Sequence, residues 1–361
     1  MRVVTVVGAR PQFIKAAVVS RELRINNEEI IVHTGQHYDY NMSEIFFKEM
    51  NIPRPDYNLG INGGTHGKMT GEMLIAIENV LMEEKPDMVL LYGDTNSTMA
   101  GAIDAAKLHI PVCHVEAGNR LGTLNNPEEI NRIITDHISS ILCCCTISAR
   151  NSLVNEGIGD KAFIVGDPMY DAFKYYTNSV GEKIPEKLID INGNMVNLPK
   201  EFYYLTCHRE ENTTDDSTLL EILSAMELLD ARCVYPVHPR NRDRIRGLLQ
   251  NNNRFRNTIF CNPVGYLMSI YLVNHAKKII TDSGGLQREA YFAKKQCVTI
   301  FDYIVWPETM INNRNQLSKP SREEILNKLS INVSFDNNDT QFGDGHSAKK
   351  IVSLLENGSK E

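Results

Sequence analysis

Short apolar runs recur along the chain, each followed by a longer stretch with helical spacing of its apolar positions. Arg2–Val7 predicts a strand, Gly8 a turn, and Pro11 to Ile25 a helix. Glu29–Thr34 and Met88–Tyr92 read as further strands, and Ser97–Leu108 as an Ala-rich helix. Pro111–Val115 is the next strand. Pro127–Leu142 follows as a helix with Pro at its first position and Glu128 and Glu129 in its first turn, where the helix dipole favours anions. Cys143–Ser148 and Ala162–Val165 complete the first series of strands. The alternation pauses over Asn178–Pro199 and restarts at Tyr203–Cys207. Strands near Cys233–Val237, Thr258–Cys261, Lys278–Thr281 and Cys297–Ile300 follow, and an amphipathic helix covers Ser347–Leu355. Strand–helix alternation of this kind predicts an α/β fold of parallel sheets with helices on both faces. Two halves meet near residue 170: an N-terminal domain over 1–170 joined by the terminal helix 347–361, and a C-terminal domain over 171–346.

In open parallel sheets, ligands bind outside the carboxyl ends of the strands. Those ends carry Gly8–Lys15, Gly93-Asp94-Thr95, Glu116–Arg120, His208–Asn212, His238-Pro239-Arg240 and Asp282–Gly285. Ser283-Gly284-Gly285 stands between a strand and a helix, where backbone N–H groups can approach a phosphate; a tight turn also needs such residues. Arg10 offers a fork for a diphosphate and Lys15 a point charge. Asp94, Glu116 and Glu128 are candidates for general acid–base work. Glu128 and Arg132 stand four apart on a helix, so by spacing alone they read as a structural ion pair, with Asp136 continuing the face. His208 and His238 can each donate to a phosphate, move a proton, or simply cap a loop.

Composition narrows the field. The 361 residues are 42% apolar and 23% charged, ordinary values for a globular chain of about two domains. A net charge of −7 argues against a broad nucleic-acid or anionic-membrane face. No apolar run is long enough to span a bilayer, and Val3–Val7 is too short for a signal-peptide core. The eight cysteines include the run Cys143-Cys144-Cys145, which reads as buried strand. None has metal-ligand spacing, so no metal site is expected, and reduced thiols point to the cytoplasm. The chain has no Gly-x-x-x-x-Gly-Lys-Ser/Thr, Gly-x-Gly-x-x-Gly or Gly-x-Ser-x-Gly, the warrants for a P-loop enzyme, a classical dinucleotide dehydrogenase or a serine hydrolase.

The segments VVGARPQFIK (6–15), TGQH (34–37), YGDTNST (92–98), HVEAGNR (114–120), PEEINR (127–132), CHREEN (207–212), PVHPR (236–240), TDSGGLQREA (281–290) and FGDGHSA (342–348) run in order through almost the whole chain. Together they resemble the non-hydrolysing UDP-N-acetylglucosamine 2-epimerase family. The resemblance implies a GT-B architecture: two Rossmann-like domains, a cleft between them and a final helix crossing back to the first domain. It implies a UDP-amino-sugar substrate, no cofactor and a homodimer. It also implies a reaction in which UDP is eliminated across C1–C2 to a 2-acetamidoglycal and added back with a proton on the opposite face of C2. Carried over residue by residue, the catalytic groups are Asp94, Glu116, Glu128 and His208. The UDP-binding groups are Arg10, Lys15, Arg132, His238, Ser283, Gly284, Gly285 and Glu289, the last holding the ribose hydroxyls.

Much of the first domain resembles the branch acting on UDP-2,3-diacetamido-2,3-dideoxyglucuronate, whereas Glu116–Arg120 resembles the branch that makes UDP-N-acetyl-L-fucosamine. After Cys297–Ile300 the chain departs from the first pattern: Phe301 stands for an Arg and Ile304-Val305 for Thr-Glu. An apolar Ile304-Val305-Trp306 suits a deoxy or less charged sugar. Tyr38–Asn41 lacks the family's second Gln of an allosteric UDP-GlcNAc site, so that regulation is not carried over. A hydrolysing epimerase, a GT-B glycosyltransferase and a non-catalytic sugar-nucleotide binder are the competing classes.

Overall fold

The computed structural model describes residues 1–35, 49–181, 187–251, 255–335 and 339–358. Gln36, His37 and the Tyr38–Asn41 segment lie outside the described residues. The chain divides into two compact units, Met1–Tyr175 with Thr340–Glu361, and Tyr176–Asp339.

Unit 1 is built on a seven-stranded sheet of order β3-β2-β1-β4-β5-β6-β7. Its strands are β1 (Arg2–Val7), β2 (Glu28–His33), β3 (Tyr57–Asn58), β4 (Met88–Tyr92), β5 (Val112–Val115), β6 (Ile141–Cys144) and β7 (Ala162–Ile164). All neighbours pair in parallel. The central strands are buried along almost their whole length, which is why they read as continuous β-branched and leucine runs rather than alternating ones. The helices among the described residues include α1 (Arg10–Leu23), α2 (His66–Glu84), α3 (Asn96–Lys107), α4 (Pro127–Ile138), α5 (Ile147–Asn155) and α6 (Pro168–Val180), which runs into unit 2. The terminal helix Ser347–Gly358 packs on α1 and is tied down by Asn27 Nδ2 donating to Glu356 Oε1 (2.9 Å) and by the Ala348 N–H donating to Asp171 (2.8 Å).

Unit 2 carries a six-stranded parallel sheet and a short hairpin. The hairpin strands are β8 (Lys187–Ile189) and β9 (Met195–Asn197). The sheet strands are β10 (Phe202–Thr206), β11 (Arg232–Pro236), β12 (Thr258–Cys261), β13 (Ile279–Thr281), β14 (Cys297–Thr299) and β15 (Asn315–Leu317), in the order β12-β11-β10-β13-β14-β15. Its helices are α7 (Glu210–Thr213), α8 (Asp216–Glu227), α9 (Arg242–Asn251), α10 (Tyr266–His275), α11 (Gly284–Phe292) and α12 (Arg322–Leu329).

Three sequence expectations change. The helix expected over Pro127–Leu142 stops at Ile138, and the strand expected at Cys143–Ser148 is Ile141–Cys144. Ser140 N–H already bonds to Val112 O (2.8 Å), so the sheet takes Ile141 and Leu142 that helical spacing had claimed, and Thr146 caps α5 instead. The pause over Asn178–Pro199 holds the β8–β9 hairpin, whose turn is closed by the Asp190 carboxylate accepting from the N–H groups of Asn192 and Asn194 (both 2.8 Å). Strand β15 is polar (Asn-Gln-Leu) and carries no apolar signal; its position in the ladder beside β14 makes it a strand.

Candidate active site

Each sheet reverses its strand order at one place, between β1 and β4 in unit 1 and between β10 and β13 in unit 2. At such a switch point the flanking loops splay apart and leave a crevice at the strand carboxyl ends. The candidate residues gather at these two places.

In unit 1, Gly8 ends β1 and turns directly into α1. A Cβ there would lie 2.3 Å from Ser97 Oγ and 2.4 Å from Thr34 Oγ1, so only glycine lets these three loops close together. Gln12 then locks the turn. Its carbonyl accepts from the N–H groups of Gly8 (2.7 Å) and Ala9 (2.9 Å), while its amide donates to Tyr92 O (2.6 Å) and Thr98 Oγ1 (2.9 Å). The loop after β1 is thereby fixed to the loop after β4. One helical turn on, the buried Lys15 ammonium pairs with the Glu116 carboxylate. Glu116 follows β5 with φ 75°, a left-handed conformation that a residue with a side chain adopts at a cost of about 1–3 kcal/mol. Its N–H and that of Ala117 both bond to Cys143 O (3.0 and 3.1 Å), and these bonds hold the strained turn.

Asp94 follows β4 and accepts from Arg132 Nη2 at 2.5 Å. Arg132, on α4, also donates to Glu129 Oε2 (2.9 Å), whose other oxygen accepts from the N–H groups of Leu121 (2.8 Å) and Gly122 (3.1 Å). Burial alone would lower the Arg132 pKa; Asp94 and Glu129 outweigh it and raise it, so the guanidinium stays charged. The i,i+4 pair read from the sequence is therefore corrected. Arg132 bonds to Glu129 and Asp94, because Glu129 faces the interior while Glu128 lies exposed in the first turn, its N–H bonded to the Asn126 cap (2.9 Å). Asp136, on the same helix, pairs with His114 and Arg120. Arg10 is the partly exposed first residue of α1.

In unit 2, Asp282 ends β13 fully buried. Its Oδ2 accepts from the N–H groups of His208 (2.8 Å) and Arg209 (2.9 Å), and His208 Nδ1 lies 3.1 Å from Oδ1. Burial pushes the Asp282 pKa up, but the His208 imidazole and the two N–H groups outweigh it and hold the carboxyl below its ordinary range. The His208 ring stacks on His238 at 5.6 Å, and His238 Nδ1 accepts from the Arg240 N–H (3.3 Å). Ser283 caps α11, accepting from the Leu286 N–H (3.4 Å). Gly284 and Gly285 therefore form the first turn, where N–H groups have no helical partner. A Cβ on Gly284 would touch Val305 (3.6 Å) and Trp306 (3.8 Å), so these two residues flank this turn. Arg209 lies over the Phe301 ring (4.5 Å) and donates to the Tyr303 hydroxyl. Glu289 lies farther along α11, 4% exposed.

The structure thus groups Lys15 with Glu116 and Arg132 with Asp94 in unit 1, and His208 with His238 in unit 2, where Asp282 joins His208 to the loop leading into Ser283. Gln12, Glu129 and Asp282 were missed as site-building residues. Asp282, the first residue after a strand, was open to discovery from the sequence. The inward face of Glu129 was not. All eight cysteines are buried thiols, as the reading of Cys143–Cys145 required.

Two parallel sheets, each with its polar groups at the switch point, define an α/β enzyme of the GT-B architecture. The sequence profile described as UDP-N-acetylglucosamine 2-epimerase matches residues 21–356. The chain is 48% identical over 361 residues to a UDP-N-acetylglucosamine 2-epimerase homolog of Methanococcus maripaludis, covering 99% of this chain and 100% of that one. It is 42% identical to the UDP-2,3-diacetamido-2,3-dideoxy-D-glucuronate 2-epimerase of Pseudomonas aeruginosa, covering 98% and 99%. The crystal structure of the Methanocaldococcus jannaschii UDP-GlcNAc 2-epimerase in complex with UDP-GlcNAc and UDP superposes with a TM-score of 0.89 at 39% identity, covering 99% of this chain and 100% of that one. This chain belongs to the UDP-N-acetylglucosamine 2-epimerase family, isomerases acting on sugar nucleotides.

Proposed function

We propose that this protein inverts C2 of UDP-N-acetylglucosamine to give UDP-N-acetylmannosamine. The observation that carries the reading is the set Lys15, Asp94, Glu116 and Arg132 at the carboxyl ends of adjacent strands, two carboxylates each paired with a cation. The C2 proton is not next to a carbonyl, so enolisation is closed. A carboxylate takes the C2 proton, the C1–O bond to UDP breaks, and the electron pair forms the C1=C2 bond of a 2-acetamidoglycal. The UDP oxygen then re-forms the C1 bond as a second carboxyl group delivers a proton to the opposite face of C2. In this reading Asp94, Glu116 and the exposed Glu128 supply the acid–base groups, and Arg132 and Lys15 hold Asp94 and Glu116 in place. In unit 2, His208, set by Asp282, serves the leaving phosphate; Ser283, Gly284 and Gly285 with His238 hold the diphosphate. Glu289 takes the ribose hydroxyls and Arg10 a phosphate. The free thiols support a cytoplasmic enzyme of polysaccharide-precursor synthesis, and the family resemblance supports a homodimer.

The 2,3-diacetamido-uronate and a 6-deoxy UDP-acetamido sugar are the alternative substrates, and one feature favours the less charged of the two. Val305 and Trp306 lie beside Gly284, and Ile304-Val305 and Phe301 stand where the uronate branch has Thr-Glu and Arg. Proton NMR in D₂O with UDP-GlcNAc tests the reading: deuterium entering C2 together with a UDP-ManNAc signal supports it. Exchange only with one of the other sugars moves the substrate. Free N-acetylmannosamine with stoichiometric UDP marks a hydrolysing enzyme, and no exchange with any of them refutes the epimerase.

A further inference from the structure

His114 lies fully buried on β5, two residues before Glu116. Its Nδ1 is 2.7 Å from Asp136 Oδ1 and its Nε2 is 2.7 Å from Gly93 O. Both partners only accept. Gly93 offers a carbonyl. Asp136 is an ionised carboxylate: burial pushes its pKa up, but His114 and Arg120 outweigh that and hold it below the ordinary range. The ring thus bridges two acceptors, one at each nitrogen.

The two acceptors belong to the two loops that carry the candidate acid–base groups. Gly93 precedes Asp94, adopts φ 65°, and its N–H bonds to Val115 O (3.0 Å). Asp136 Oδ2 accepts from the Gly118 N–H (3.1 Å) and from Arg120 Nη1 (2.7 Å), just beyond Glu116. The left-handed Glu116 is thus bracketed by His114 before it and by the Asp136-bound Gly118 after it. Other titratable groups surround the ring. Arg120 bridges Asp136 to Glu156 (2.7 Å), which lies 3.1 Å from His137. The Cys144 thiol of β6 is pushed up to about 12 by burial and by Asp136, and so stays neutral.

We propose that His114 is a positioning residue for both carboxylates: in contact at both ring nitrogens, it holds the Gly93–Asp94 peptide directly and the Glu116–Gly118 turn through Asp136. The inference rests on the acid–base reading of Asp94 and Glu116. A core histidine that merely fills space is the competing account, and the two differ in what they do to turnover.

The test compares wild type, His114→Gln and Asp136→Asn with the UDP-acetamido sugar that the wild type exchanges. A carboxamide at 114 can donate to one acceptor and must turn an oxygen toward the other. The expected result is a fall in kcat for C2 deuterium exchange of about 10²-fold, the cost of a small misplacement of reacting groups. KM and UDP affinity by calorimetry stay within about twofold of wild type, because the UDP groups of unit 2 are untouched. A kcat within threefold of wild type overturns the proposal, as does an equal loss in UDP affinity. Independently of whether the variants fold, proton NMR of the wild type is expected to show a His114 ring N–H protected from solvent exchange by its hydrogen bond; a His114 ring with no protected N–H overturns the proposal. A wild type that exchanges nothing refutes the proposed function, whereas an active wild type matched by His114→Gln refutes only the positioning role.

Discussion

Replacing Arg132 by Met removes both of the guanidinium's bonds while keeping most of its apolar length. The bond to Glu129 joins two buried charges, and a hydrogen bond to a charged group contributes about 1.5–3 kcal/mol. The bond to Asp94 joins a buried cation to a carboxylate whose side chain is 29% exposed, so solvent screening limits it to about 1 kcal/mol. Together these give a loss of about 3 kcal/mol, the lower edge of the range for breaking a buried ion pair. For a unit of this size that corresponds to a fall in melting temperature of about 6–12 °C. Most of the loss is the cost of leaving Glu129 charged and buried. Arg132→Met in a Glu129→Gln background should therefore lose less than the sum of the single changes, with a coupling of about 1–2 kcal/mol. Differential scanning calorimetry of the four proteins measures both quantities. Additive losses, or an Arg132→Met protein as stable as the wild type, would refute the argument that Arg132 is held by two carboxylates inside the fold.

Glu116→Gln and Asp94→Asn are each expected to cut turnover by about 10²–10⁴-fold while UDP still binds; unchanged turnover in both removes them from the mechanism. Arg10→Ala should weaken UDP binding measured by calorimetry, and equal affinity would end its assignment to a phosphate. Asp282 is depressed, so it stabilises the fold above the pKa it has when unfolded, and that contribution is lost as pH falls through the folded value. The stability gap between wild type and Asp282→Asn in urea should be flat from about pH 8 to 5 and narrow only below about pH 4; narrowing near neutrality would contradict the assignment. Asp104 on α3 behaves oppositely. Burial first, then Glu78, pushes it up to about 7, so the native state holds its proton longer and the wild type loses stability as pH rises from about 4 to 7. Asp104→Asn should abolish that loss in urea titrations, and an unaltered pH profile would count against it.

The sequence by itself determined the class of fold. Strands buried on both faces must be written as runs such as Val3–Val7 and Met88–Tyr92, and parallel strands need long crossovers that are usually helices, so the alternation is legible without any contact being known. It also placed chemistry at strand ends and, through ordered motifs, pointed to the family. Boundaries were less legible: Ile141 and Leu142 suit a helix or a strand equally, and the ladder to β5 made the choice. β15 was invisible because a polar edge strand is defined by its neighbour. Which of the possible partners meet was decided by the tertiary structure. Spacing offered Glu128 to Arg132, yet it is Glu129, three residues before Arg132 on the same helix, that faces inward with it, and Asp94 reaches the guanidinium from the end of β4. Lys15 and Glu116, far apart in sequence, meet because β1, β4 and β5 are adjacent in the sheet and end at the same edge. A linear pattern records which side chains point inward. Which inward-pointing charges neutralise one another depends on strand order, and strand order is fixed only when the whole sheet is assembled.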